Sequence, residues 1–220
     1  LDVTAAVTAG VPVTLGIRTS NDNGADFDSR QAAAAVRPQL VVAAGSPDVT
    51  TTTSSTTTTT SGPTSTTSTT STSTTTSSTT TSTSTSTTTT SAPPNGGPVT
   101  LLPTADAYVD AGKPTNRYGT DPLMDVDGSP VKLAIVRFDL SSVSGPIQQA
   151  RLRLHVADVS DARSPDSGTV APVVDNGWSE ATVTYNTRPT AWGSDVASIG
   201  GVSRNTWIEV PVTGAVTAGG

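Results

Sequence analysis

Apolar residues along this chain recur at alternate positions, the two-residue period of strands, and no long stretch carries the spacing of an amphipathic helix. Residues 132–140, KLAIVRFDL, place Ala134, Val136, Phe138 and Leu140 on one face and Leu133, Ile135, Arg137 and Asp139 on the other. With apolar side chains on both faces, this segment is predicted to be a central strand. Residues 150–156, ARLRLHV, direct Ala150, Leu152, Leu154 and Val156 inward and Arg151, Arg153 and His155 outward, so one face should be wet and His155 should be solvated. Shorter strands are predicted at 13–19, 38–42, 107–109, 182–186 and 207–212. Turn formers separate them: Asn23-Gly24, Asp127-Gly128, Ser144-Gly145-Pro146 and Asn176-Gly177. One helical turn is expected at 213–216 and an equivalent one at 4–7. Many short strands without a long helix point to an all-β sandwich.

The alternation stops between residues 46 and 98, which are nearly all Ser and Thr. Such a tract has almost nothing apolar to bury and cannot offset the entropy of ordering, so a long disordered linker is expected. Its composition fits a mucin-like stalk carrying O-linked sugars and equally fits a plain spacer.

On either side of the linker the chain repeats itself. LDVTAAVTAG at residues 1–10 and VPVTGAVTAG at 210–219 agree at seven of ten aligned positions. The chain therefore reads as a stretch spanning two tandem copies of one module, residues 1–45 being the C-terminal part of the first and 99–220 the N-terminal part of the second. Residues 1–45 offer about three strands and 99–220 would be left with an open edge, so the pieces are expected to dock as one circularly permuted sandwich.

Charge and composition remove several function classes. The net charge is −6 and no basic stripe is present, which argues against nucleic-acid binding. No apolar run approaches the roughly 20 residues of a membrane-spanning helix. Without cysteine there is neither disulfide nor thiol chemistry, and with one histidine the usual acid-base repertoire is thin. The 18 acidic residues leave a paired-carboxylate hydrolase open by count, although most sit in turns, where Asp is favoured for backbone hydrogen bonding.

Several motifs occur in a fixed order: Asp106-Ala-Tyr-Val109, Tyr118-Gly119, Val126-Asp-Gly128, Arg137-Phe-Asp-Leu140 and Trp178-Ser-Glu180, with GADFDSRQA at 24–32 and PQLVV at 38–42 in the other piece. In these the chain resembles the DNRLRE-type domain, also classed as carbohydrate-binding module family 96. Gln31 stands where that family usually has Glu after the Ser-Arg pair, and the order of head and tail is inverted. The resemblance implies a jelly-roll-like β-sandwich, non-catalytic, extracellular or at the cell surface in a polysaccharide-targeting protein, with an acidic glycan such as alginate as its ligand class. A structural or adhesive wall spacer is the alternative.

Sugar recognition ordinarily pairs an aromatic platform with polar groups, and a uronate adds a need for cations, whose fork in Arg matches a carboxylate. The aromatic candidates are Tyr108, Tyr118, Tyr185, Trp192 and Trp207, with Trp178 assigned to the core. The cationic candidates are Lys113, Arg117, Arg137 and Arg188, with the adjacent Arg117 and Tyr118 the sharpest choice. For Arg137 a structural pair with Asp139 or Glu180 is an equal alternative. Closely spaced oxygen ligands at 21–28 and 124–128 raise the question of structural calcium. Asp106, Asp26 and Asp28 would form a site if the first and last strands of the module pair; ordinary turn aspartates are the other reading.

Overall fold

The structure, a computed structural model, describes residues 11–45, 51–54, 85–88 and 97–218. It divides into two compact units, one from residues 1–47 and 93–220 and the other from 48–92. In the smaller unit β4 (Thr51–Ser54) pairs antiparallel with β5 (Thr85–Thr88). A Ser/Thr tract thus carries a short ladder, in keeping with the strand preference of the β-branched Thr.

The larger unit is an all-β sandwich built of β1 (Pro12–Arg18), β2 (Ala25–Asp28), β3 (Gln39–Ala44), β6 (Val99–Leu101), β7 (Pro103–Asp110), β8 (Leu123–Gly128), β9 (Val131–Asp139), β10 (Ile147–Val156), β11 (Thr169–Val173), β12 (Ala197–Ser198) and β13 (Thr206–Pro211). A closing helix, α1 (Thr213–Ala218), covers the predicted turn at 213–216; the one expected at 4–7 lies outside the described residues. The first layer runs β12-β11-β1-β9-β7. In the second, β13 flanks one side of β10 while β3 and β2 share the other, with β6 outside β3 and β8 outside β2. β8 joins the layers: its Leu123–Val126 part pairs with β2, and Asp127 and Gly128 pair with the start of β9. All pairs are antiparallel.

Period-two burial explains why the layers close on each other. From β9, Ala134, Val136 and Phe138 enter the space between them, where they meet Leu15 and Ile17 of β1, Phe27 of β2, Leu40 and Val42 of β3 and Leu152 and Leu154 of β10. Each large side chain removed from water contributes about 1.5–3 kcal/mol. The opposite face of β9 is also covered: Ile135 belongs to a second cluster with Ala105, Ala107, Val109, Val173, Trp178 and Val183. β9 is therefore central, and Trp178 is a core residue.

Residues 11–45 supply β1, β2 and β3, each bonded on both sides by strands from 97–218. Among the described residues no helix is long and apolar enough to cross a membrane.

Two local expectations are corrected. Residues 182–186 form no strand; they lead into a 3-10 turn at Tyr185–Thr187, capped by Thr184, whose hydroxyl accepts from the Thr187 amide. His155 faces outward from β10 as its period requires, yet it is buried: its Nδ1 lies 2.6 Å from Oδ2 of Asp28 and its ring meets Trp207 edge-on at 5.3 Å. Flanking strands β2 and β13 bring side chains across the outer face there, which the period of one strand cannot reveal.

Candidate functional site

The outer face of the first layer is crossed by the segment between β11 and β12, and that crossing forms a groove. β1 sends Val13, Leu15 and Ile17 into the core, so Thr14, Gly16 and Arg18 face outward. Trp178 fixes the segment over them by donating from Nε1 to Oγ1 of Thr14 at 3.1 Å, and the Thr14 hydroxyl reaches Oδ1 of Asn176 at 2.6 Å. Farther along, Trp192 lies on Gly16, donates from Nε1 to the Pro189 carbonyl at 3.0 Å and bridges to Val173.

Arg18 extends from the end of β1 with its guanidinium 5.4 Å from the Trp192 ring, and it pairs with Asp195 at 2.5 Å. Arg188 approaches the same region from the crossing segment, its guanidinium 3.6 Å from the Tyr185 ring and its Nη1 donating to the Tyr185 carbonyl. Arg18, Arg188, Trp192, Leu133, Pro189 and Thr190 line one cavity of about 260 Å³. A second, of about 440 Å³, adjoins it at Arg18 and Leu133 and continues past Thr19, Ser20, Asp166 and Ser198. The first holds two guanidinium groups beside an indole; the second adds the hydroxyls of Thr19, Ser20, Thr169 and Ser198, the carboxylates of Asp166 and Asp195 and the apolar Val131. Arg188 has no carboxylate partner among the described residues. Such a surface can hold an extended polyhydroxylated chain and offer charge-assisted hydrogen bonds to a carboxylate on it.

The other candidate residues lie elsewhere. Lys113 and Arg117 are exposed in the loop after β7, whereas Tyr118 stacks on Tyr108 with ring centroids 4.2 Å apart. Arg137 pairs with neither Asp139 nor Glu180. Its Nη1 donates to the carbonyls of Asn176 at 2.8 Å and Trp178 at 3.0 Å, and its guanidinium lies 5.0 Å from the Trp178 ring, so it clamps the crossing segment to β9. Trp207 has Arg153 over its ring at 4.8 Å as well as His155 at its edge.

Asp106, Asp26 and Asp28 engage different partners. β7 pairs with β9 and β2 with β8 and β10, so the strand pairing that would unite them does not occur. Asp28 engages His155, and Asp26 lies opposite Asp125 across the β2–β8 ladder. The two acidic segments meet there, and Asp22, Asp26, Asp125, Asp127 and Asp161 line a cavity of about 310 Å³, with Lys132 bonded to Asp125 as counter-charge. Burial, aided by Asp125, pushes the Asp26 carboxyl up to about 6. Among the described residues no group of three or more acidic or histidine side chains has the arrangement of a metal site.

Asp106 instead belongs to a knot that gathers the sequence motifs. Its Oδ2 accepts from the Arg30 amide at 2.6 Å, and its own amide donates to Oε1 of Glu180 at 3.0 Å. Arg30 pairs with Glu180 at 2.6 Å, and Gln31 donates from Nε2 to both the Gly119 carbonyl and Oε1 of Glu180, at 2.7 and 3.0 Å. Asp106 Oδ1 is buried without a hydrogen-bond partner. Burial, with the Glu180 charge adding to it, pushes the Asp106 carboxyl up to about 7. Motifs 76 and more residues away from their partners in residues 29–31 thus converge with them on one structural tie to the rest of the sandwich.

Sequence reasoning singled out Arg188 and Trp192 but missed Arg18. The alternation of β1 does place Arg18 outward beside Thr14 and Gly16. Its approach to Trp192 depends on where the crossing segment lands, which no local pattern encodes.

The family model described as carbohydrate-binding module family 96 matches residues 97–219. No curated protein and no solved structure matches the chain.

Proposed function

This chain belongs to carbohydrate-binding module family 96, and we propose that it binds an acidic polysaccharide of the alginate type, without turning it over, along the groove at Arg18, Arg188 and Trp192. The observation that carries this reading is the convergence of two guanidinium groups and one indole on a single cavity of about 260 Å³. An indole face covers the apolar face of a pyranose, and a guanidinium presents a fork to a uronate carboxylate. The chain as a whole carries a net charge of −6 and Arg18 is shared with Asp195, so attraction to a polyanion has to come from the local cations, Arg188 above all. Their influence extends about 8 Å at physiological ionic strength, which makes binding short-ranged and salt-sensitive. A secreted or cell-surface protein is the setting in which such a module meets its polymer.

Affinity electrophoresis tests it. Gels containing alginate or a neutral glucan, each at two salt concentrations, should show retardation in alginate alone, weakened by salt and reduced in Arg188→Ala and Arg18→Ala. Arg117→Ala, on the loop that also carries Lys113 and Tyr118, reports whether that loop contributes. Equal, salt-insensitive retardation in both gels defeats the uronate reading and favours a wall-spacer role. Steady release of unsaturated or reducing ends from alginate, lost on replacing one Asp or Glu, defeats the non-catalytic part.

A further inference from the structure

We propose that the β1–β3 segment exchanges between copies of this chain, residues 11–45 of one completing the sandwich of another. The inserted segment is interior in each of its strands. β1 lies between β9 and β11, β2 between β8 and β10, and β3 between β10 and β6. Without it, residues 97–218 would present slots bounded by unpaired strand edges and lacking Leu15, Ile17, Phe27 and Leu40, all fully buried. Unpaired edges of this kind are templates for another chain. The occupant whose register, side-chain alternation and Arg30–Glu180 and Asp28–His155 pairs fit those slots is this chain's own segment.

The covalent link does not decide which copy supplies it. Val42 and Val99 are register partners, so the chain leaves β3 and re-enters at β6 side by side, yet 51 residues, 46–96, separate Gly45 from Gly97. At no more than about 3.3–3.6 Å per residue, such a stretch can reach well beyond one sandwich once the β4–β5 pairing opens. The contacts made in cis and in trans are the same. The balance is then set by chain concentration against the effective concentration of the tethered segment, which for such links is on the order of millimolar. Exchange of an identical element between protomers is a low-cost route to assembly. If the proposed groove is the binding site, exchange also makes it composite, with Arg18 coming from one chain and Arg188 and Trp192 from the other.

Two full-length variants test the exchange independently of any glycan. Phe27→Asp disables the donor segment and Leu154→Asp disables the acceptor, so neither alone should show cooperative unfolding. Refolded together in equal amounts, they should regain about half the wild-type unfolding amplitude, in a species containing at least two chains. A mixture that behaves as the sum of its separate components overturns the proposal. Should the variants aggregate, wild type refolded at about 1 mM and at about 1 μM, then compared by light scattering at one dilution, decides the matter. Dimers and larger species from the concentrated sample alone support exchange; monomers from both overturn it.

Discussion

Gly16 lies against the Trp192 ring: a Cβ built on Gly16 would fall 2.4 Å from both Cη2 and Cζ3 of the indole. The strand can give no ground there, because its neighbours Leu15 and Ile17 are locked in the core. Gly16→Ala should push the ring off the β1 surface, destabilising the fold by about 1–3 kcal/mol as other overpacking changes do. Urea unfolding gives the stability, and the alginate gel should show retardation reduced by more than the unfolded fraction explains.

Arg137→Ala should act through the crossing segment. Two carbonyls lose a charged donor and Trp178 loses the guanidinium at its face, at a cost of about 2–3 kcal/mol. If Arg137 instead contacted glycan directly, retardation would fall while the melting temperature held, and the two outcomes separate in one pair of measurements.

Gln31→Glu restores the residue expected from the family resemblance and should nonetheless destabilise this chain. The Gln31 amide donates to the Gly119 carbonyl and to Glu180, and a carboxylate there would face two acceptors. Its own titration would be pushed up, so the penalty, about 1–3 kcal/mol, is smallest below about pH 4, where the protonated side chain still donates to one of the two acceptors, and grows as pH rises. The melting-temperature difference between wild type and variant should be small at pH 4 and large at pH 8.

The wild-type protein should itself lose stability between acid and neutral pH. Asp26 and Asp106 are pushed up to about 6 and about 7, while an unfolded Asp titrates near 3.9. With the folded value above the unfolded one, the contribution is fully present below about pH 4 and is lost as pH rises through about 6 and 7. A tenfold change in protonation being about 1.4 kcal/mol, the Asp106 share is on the order of 4 kcal/mol. Asp106→Asn should flatten the stability profile between pH 5 and 8, as read by denaturant midpoints across that range.

What was legible beforehand follows from the range of each interaction. The strand at 132–140 and its two buried faces came from alternation alone, because β9 carries apolar residues at both phases and appears as Val131–Asp139. β2 and β8 escaped notice: ADFD and LMDVDG alternate, but their acidic residues resemble turns or metal loops. The Asp-rich segments at 21–28 and 124–128 do meet, as neighbouring strands rather than as a site with Asp106. Trp178 could be placed in the core from its motif, whereas the burial of His155 depended on Asp28 and Trp207, 127 and 52 residues away. Arg188 and Trp192 lie four residues apart and invite pairing by eye; Arg18 joins them only through the fold.

The burial of His155 also gives the protein a built-in reporter. It is the only histidine of the chain, so its imidazole resonances need no assignment, and it touches β2 through Asp28 and β13 through Trp207 while belonging to β10. A single pair of peaks therefore records whether three strands of the second layer remain in register. One of those strands, β2, comes from residues 11–45, so isotope-filtered contacts between those peaks and Asp28, in a sample of one labelled and one unlabelled chain, would report on the origin of that strand.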